Sequence, residues 1–157
     1  MTLKQELILD EGKRYKVYKC SQNKNTIGIG HNIDAKPLPA DIQSYLQQYG
    51  RINDAMIDIL YDKDVQDATD DCLKLWKNFN SFSVNRKKAL INVMFNMGMY
   101  KIRKKFPSFC KAVNAQNWQR AADELKYSNG LTKNRLSDYY IQVGERADRV
   151  ISKLIEG

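Results

Sequence analysis

The sequence predicts an α+β protein, mostly α-helical, with a small antiparallel sheet in its N-terminal part and a helical part after it. Two observations carry that prediction. Apolar residues recur at helical spacing over most of residues 40–155, and a short stretch before them, residues 15–29, is built from β-type residues around a polar turn. With 157 residues and 43% apolar side chains, the chain can bury a sizeable core without disulfide staples, which excludes a disordered chain.

The elements follow in order. Residues 3–11 read as a short helix with Leu3, Leu7 and Ile8 on one side, closed by Gly12. Tyr15, Val17, Thr26, Ile27 and Ile29 flank the turn Ser21-Gln22-Asn23-Lys24-Asn25, predicting a hairpin or meander. Gly28 and Gly30 leave one strand face without side chains, where a ligand or another backbone can approach. After Pro37-Leu38-Pro39, residues Ile42, Tyr45, Leu46 and Tyr49 mark an amphipathic helix that Gly50 stops. The helical pattern resumes from Asp54 to Trp76 in an acidic segment.

Residues 84–97 are apolar nearly all round, so this helix is expected at the centre of the larger lobe. Shorter helical pieces follow near 100–114 and 117–127. One last helix is expected over 135–155. The organisation predicted is a β-containing lobe at 12–53, a long linking helix at 54–80, and a helical lobe at 81–157 joined by residues 1–11.

No apolar run approaches the roughly 20 residues of a membrane-spanning helix, and the N-terminus lacks the pattern of a secretory signal. A soluble protein made in a cytoplasm is expected. The cysteines Cys20, Cys72 and Cys110 are odd in number and lack CxxC spacing, which argues against a disulfide framework or a zinc site. The 26 basic and 18 acidic side chains are unevenly placed: residues 84–157 hold 15 basic and 6 acidic. Such a field attracts polyanions, whether nucleic acid, anionic lipid or an acidic wall polymer. The run Lys101, Arg103, Lys104, Lys105 has no zinc-finger, RNA-recognition or leucine-zipper signature beside it and reads as a solvated basic face.

Asp10 and Glu11 end the first helix, where the helix dipole disfavours negative charge. Eight residues separate Glu11 from Cys20, and five separate Cys20 from Thr26. This spacing, with Asp-Glu-Gly-Lys-Arg-Tyr-Lys-Val-Tyr-Lys and Thr-Ile-Gly-Ile-Gly-His, closely resembles the T-even bacteriophage lysozymes, also called phage-type lysozymes or endolysins. The chain fits the version with Cys in place of the second catalytic Asp. Asn92-Val93-Met94-Phe95-Asn96-Met97-Gly98 resembles the family's central-helix motif, and Glu145-Arg146-Ala147-Asp148-Arg149-Val150 its C-terminal motif.

The resemblance implies a single lysozyme-like domain with two lobes and a substrate cleft between them. It implies hydrolysis of the β-1,4 bond between N-acetylmuramic acid and N-acetylglucosamine in peptidoglycan, with inversion and without metal or cofactor. Glu11 matches the general acid, Cys20 the aspartate position, and Thr26 the residue positioning the attacking water. Gly30, Phe95 and Asn96 match positions lining the cleft; Phe95 and Asn96 read equally as core and helix-capping residues. His31 is expected to pair with Asp64, Arg146 with Glu11 or Asp10, and Arg149 with Asp10, as structural support of the site.

The expected partner is bacterial peptidoglycan. Neither nucleic-acid binding nor stable membrane insertion is expected, the basic half offers contact with an anionic envelope, and the chain is expected to be a monomer. The expected setting is lysis of a bacterial host, with the protein made in the host cytoplasm and reaching the wall after membrane permeabilisation. The alternatives are a lytic transglycosylase and a non-catalytic basic module binding nucleic acid or cell wall.

Overall fold

The computed structural model describes residues 1–157 as two compact units, Met1–Gln66 and Asp67–Gly157. In the first, α1 (Leu3–Glu11) starts at a capping box. Thr2 Oγ1 accepts from Gln5 N at 3.1 Å, and the Gln5 side chain accepts from Thr2 N at 2.8 Å. Gly12, at φ 80°, ends the helix, and its N–H still reaches Ile8 O at 2.8 Å. Glu11 therefore stands on the last helical residue.

The sheet is a three-stranded antiparallel meander of β1 (Arg14–Lys19), β2 (Asn25–Gly28) and β3 (His31–Asn32). Tyr18 and Asn32 flank Thr26 as its register partners on either side, and Ile27 pairs with His31. Asp34 pins the start of β2: its carboxylate accepts from Asn25 N and Nδ2, both at 2.9 Å. The Asn25 backbone bond, then the side-chain bond, hold the Asp34 carboxyl below its usual range. α2 (Ala40–Tyr49) ends at left-handed Gly50, and α3 (Asp54–Leu75) begins in this unit. Leu7, Ile27, Ile29, Ile42, Ile52, Ile57 and Leu60 are buried. Fully burying each such side chain contributes about 1.5–3 kcal/mol.

The second unit begins within α3 after Gln66. Its central helix is α4 (Val84–Met97), with the Ser83 cap accepting from Arg86 N at 3.2 Å and Gly98 as its stop. Ala89, Leu90, Val93 and Met94 are buried, as the all-round apolar pattern predicts. Around it lie α5 (Met99–Lys105), α6 (Pro107–Asn114), α7 (Trp118–Lys126), α8 (Asp138–Val143) and α9 (Glu145–Glu156). Trp76 stacks edge-on against Phe109, and Phe82 against Trp118, in one core.

Two sequence expectations are corrected here. The segment near 100–114 is two helices, because Phe106 leaves helical geometry and Pro107 opens a new first turn. The helix expected over 135–155 is also two: Gly144, at φ 50° and ψ −111°, breaks the backbone between α8 and α9. Residues 127–136 instead form a loop closed by a Tyr127–Leu136 bridge. Glu124 holds it, accepting from Gly130 N at 3.2 Å while Arg120 Nε donates to the same oxygen at 2.8 Å.

Ser137 closes that loop from the far end. Its hydroxyl, buried, donates to Leu125 O, and its oxygen accepts from Tyr140 N at 3.1 Å to cap α8. Ser137→Ala is expected to cost about 1–2 kcal/mol, since a cap and a buried carbonyl's partner are lost together. Urea unfolding followed by circular dichroism checks this.

Candidate active site

The first unit brings the N-terminal candidates together. The end of α1 presents Glu11, half-buried, against the turn between β2 and β3. Gly30 sits there at φ 65°, and a Cβ built on it would lie 2.9 Å from Glu11 Cγ and Oε2. Both the left-handed backbone and the close approach require glycine at this point. Gly28 faces the other way, onto Ile57 of α3. Of the two bare strand positions, Gly30 meets the candidate acid and Gly28 the core.

Cys20 follows β1 and opens the tight turn to β2. Its N–H donates to Lys24 O at 3.0 Å, and its carbonyl accepts from Asn23 N at 2.8 Å. Burial pushes the Cys20 thiol up, but backbone hydrogen bonds from Lys24 and Gln22 and the Thr26 hydroxyl favour the thiolate and outweigh it. The net result is a thiol that ionises below its ordinary range. Thr26 itself is buried, and its single hydroxyl proton goes to Lys24 O at 2.9 Å. The same proton can turn to the Cys20 sulfur, and only the ionised sulfur repays the lost carbonyl bond.

The other cysteines are of a different kind. Cys72 and Cys110 are free but buried in the second unit's core. Burial pushes the Cys72 thiol far up and the Cys110 thiol up to about 11.

Tyr18 was not singled out by sequence reasoning. Its hydroxyl reaches the Glu11 carbonyl at 3.4 Å, and it is the register partner of Thr26. Burial first, then the negative charges of Glu11 and Cys20, hold the Tyr18 phenol up despite Arg14. It stands among all three candidates. Its cross-strand pairing with Thr26 is the signal that could have found it.

His31 and Asp64 meet as expected, with Nδ1 and Oδ2 at 2.7 Å, both residues buried. His31 Nε2 faces the Lys36 carbonyl at 2.8 Å. Both ring nitrogens thus face oxygen acceptors, and the ring anchors β3 to α3 rather than facing solvent. In the second unit, Phe95 is partly buried against the core and Asn96 is half-buried on α4. Arg146 is buried, and its Nε donates to Asn92 Oδ1 at 2.8 Å, joining the C-terminal motif to the central-helix motif. Arg149 lies on the same helix, α9.

Residues 9–138 match the phage lysozyme family. The chain belongs to that family. It is 30% identical over 166 residues to probable T4-type lysozyme 2 of Dictyostelium discoideum, spanning 96% of this chain and 92% of that protein. It is 30% identical over 174 residues to probable T4-type lysozyme 1 of the same organism, spanning 99% and 95%. The pre-baseplate central spike protein Gp5 of Enterobacteria phage T4 is 31% identical over 171 residues, spanning all of this chain and 28% of that longer protein. The chain is accordingly a glycoside hydrolase of the lysozyme type, with the mostly helical α+β fold that its sequence predicts.

Two predictions follow from the site geometry. Iodoacetamide should alkylate Cys20 alone in the folded protein, with the rate rising at a pH below that of an ordinary thiol. Thr26→Val should move that rise to higher pH, because the thiolate loses a donor; mass spectrometry of peptides against pH reads both. Gly30→Ala should lower activity by about two orders of magnitude if Glu11 is the acid, since an added Cβ would displace its carboxyl by about an ångström. Turbidity loss of a cell-wall suspension, with a thermal melt alongside, measures that effect.

Proposed function

We propose that Glu11, Cys20 and Thr26 carry out the muramidase reaction, hydrolysing the β-1,4 bond between N-acetylmuramic acid and N-acetylglucosamine. Glu11, protonated, gives its proton to the leaving glycosidic oxygen as the bond to the anomeric carbon breaks. The Thr26 hydroxyl and the Cys20 thiolate hold a water on the opposite side of the sugar. As the water oxygen bonds to the anomeric carbon, its proton passes to the sulfur. The products are a free reducing sugar, an alcohol, a Glu11 carboxylate and a Cys20 thiol, and one proton transfer through solvent restores the starting state.

The observation that carries this reading is the turn around Cys20, whose hydrogen bonds lower the thiol at the family's aspartate position. A thiol without such donors has a pKa near ~8.5 and is a poor base at neutral pH. Gly30 is assigned to the sugar-facing wall beside Glu11, and Phe95 and Asn96 to substrate binding. Asp10, His31, Asp64, Arg146 and Arg149 are assigned to support of the site. The proposed setting is lysis of a bacterial host, with the enzyme made in the cytoplasm and reaching the wall through a membrane lesion made by another protein.

Purified peptidoglycan digested with wild type should yield new reducing ends, with the product inverted at the anomeric carbon by NMR. Glu11→Gln should abolish them. Cys20→Ser should lower kcat by about 10²–10³, the range of a lost general base, and Cys20→Asp should restore most of it. Full activity in Cys20→Ser would remove the thiolate from the reaction. Retention of configuration would make Cys20 a nucleophile instead, and 1,6-anhydro products would move the chain to the transglycosylases.

A further inference from the structure

Strand β1 carries a second feature that the hydrolytic residues do not use. A surface groove of about 370 Å³ is lined by Arg14, Tyr15, Lys16, Val17, Tyr18 and Arg51. Two of its walls are guanidinium groups laid on aromatic rings. Arg14 Cζ lies 4.4 Å from the centre of the Tyr18 ring, and Arg51 Cζ lies 5.0 Å from that of Tyr15. The contact restrains each guanidinium against its ring, so binding an acceptor with its N–H groups costs less entropy than a free side chain pays.

The groove carries an excess of positive charge, which Asp54 beside Arg51 offsets only in part. Arg14, Lys16 and Arg51 form no ion pair. The nearby carboxylate, Asp54, already binds Lys13 at 3.0 Å and the Tyr15 hydroxyl at 2.6 Å. Those two hydrogen bonds, Tyr15 first, hold the Asp54 carboxyl below its usual range. The Ile52 N–H donates to Tyr15 O at 2.9 Å, which fixes the Arg51 segment alongside the strand. Three cations, two of them held on aromatic rings, suit an anion borne on a less polar body.

The groove shares Tyr18 with the candidate site. Tyr18, whose ring supports Arg14, reaches the Glu11 carbonyl through its hydroxyl at 3.4 Å. An anion bound there is one carried close to the cleaved bond. In peptidoglycan that anion is the carboxylate of the peptide attached to the muramic acid, which recurs at every second sugar. Phosphate polymers of the wall are joined to it far more sparsely.

We propose that this groove binds the peptide carboxylates of the peptidoglycan strand and makes the enzyme prefer walls whose peptides are not amidated. The proposal rests on peptidoglycan as the substrate, and its test reads binding without turnover. Glu11→Gln protein is sedimented at fixed salt with native walls and with walls whose carboxyls have been converted to amides. The expected result is binding to native walls about three- to tenfold tighter, the range for a few exposed charge contacts. The combined variant R14Q/K16Q/R51Q on the same background should lose that ratio, and R14K/R51K, which keeps the charge and loses the planar fork, should lose part of it. K101Q/R103Q/K104Q removes the same charge elsewhere and should keep the ratio.

Circular dichroism melts establish that each variant is folded; if the triple variant is not, R51Q alone must show a reduced ratio. The proposal is overturned if the parent binds both walls equally, if the ratio survives in R14Q/K16Q/R51Q, or if K101Q/R103Q/K104Q loses it equally. It is also overturned if stripping wall phosphate, rather than amidation, removes the preference. A failure of the muramidase reading shows separately, as wild type that releases no reducing ends from either wall.

Discussion

The close approach of the Glu11 side chain to the bare backbone at Gly30 is the constraint on which the rest of the first unit's site depends. A helix end is a poor place to hold a side chain still, because its last turn lacks intrahelical partners. Here the helix is stopped by Gly12 at the residue after Glu11, and the carboxyl-bearing side chain is braced by the β2–β3 turn. That turn is itself fixed, since His31 ties β3 to Asp64 of α3 and to the Lys36 carbonyl. The placement of one carboxyl thus draws on a helix stop, a strand turn and a buried polar pair.

The same economy explains the β1 strand. Its residues serve three surfaces at once. Tyr18 faces Glu11 through its hydroxyl, pairs with Thr26 across the sheet, and carries Arg14 on its ring. A register shift between Arg14 and Tyr18 interrupts the regular ladder between these two residues. Such bulges re-aim side chains near active sites. A substitution at Tyr18 therefore acts on Glu11, the sheet and the basic groove together, whereas Arg51 lines only the groove.

What was legible in the sequence was local. α4 runs between Ser83 and Gly98 because a side-chain cap and a helix-ending glycine flank a continuous apolar run, and both signals are in the string of residues. α1 and the hairpin were legible for the same reason, and the Glu11–Cys20–Thr26 spacing gave the candidate site. The break at Gly144 was not legible, because an apolar period continues in register across it and only the backbone dihedral reveals the stop. The stacked arginines were missed because Arg51 and Tyr15 are 36 positions apart, and nothing in either neighbourhood announces the other. Glu124 is buried and holds the 127–136 loop, a role that nothing in its sequence neighbourhood signals.

The cysteine at position 20 changes what the surrounding turn must do. A carboxylate in that place is ionised at neutral pH with little help from its surroundings. A thiol is not, and an acid–base pair works only in molecules where the acid is protonated and the base is not. Each unit by which the thiol falls raises that fraction about tenfold, for as long as the thiol ionises above both the acid and the ambient pH. The Lys24 and Gln22 backbone groups and the Thr26 hydroxyl supply that fall by bonding the charged sulfur against the cost of burial. In the proposed mechanism, Thr26 is therefore more than a water holder. Its one proton moves from the Lys24 carbonyl to the sulfur when the thiolate forms, so the residue that orients the water also helps create the base that receives the water's proton.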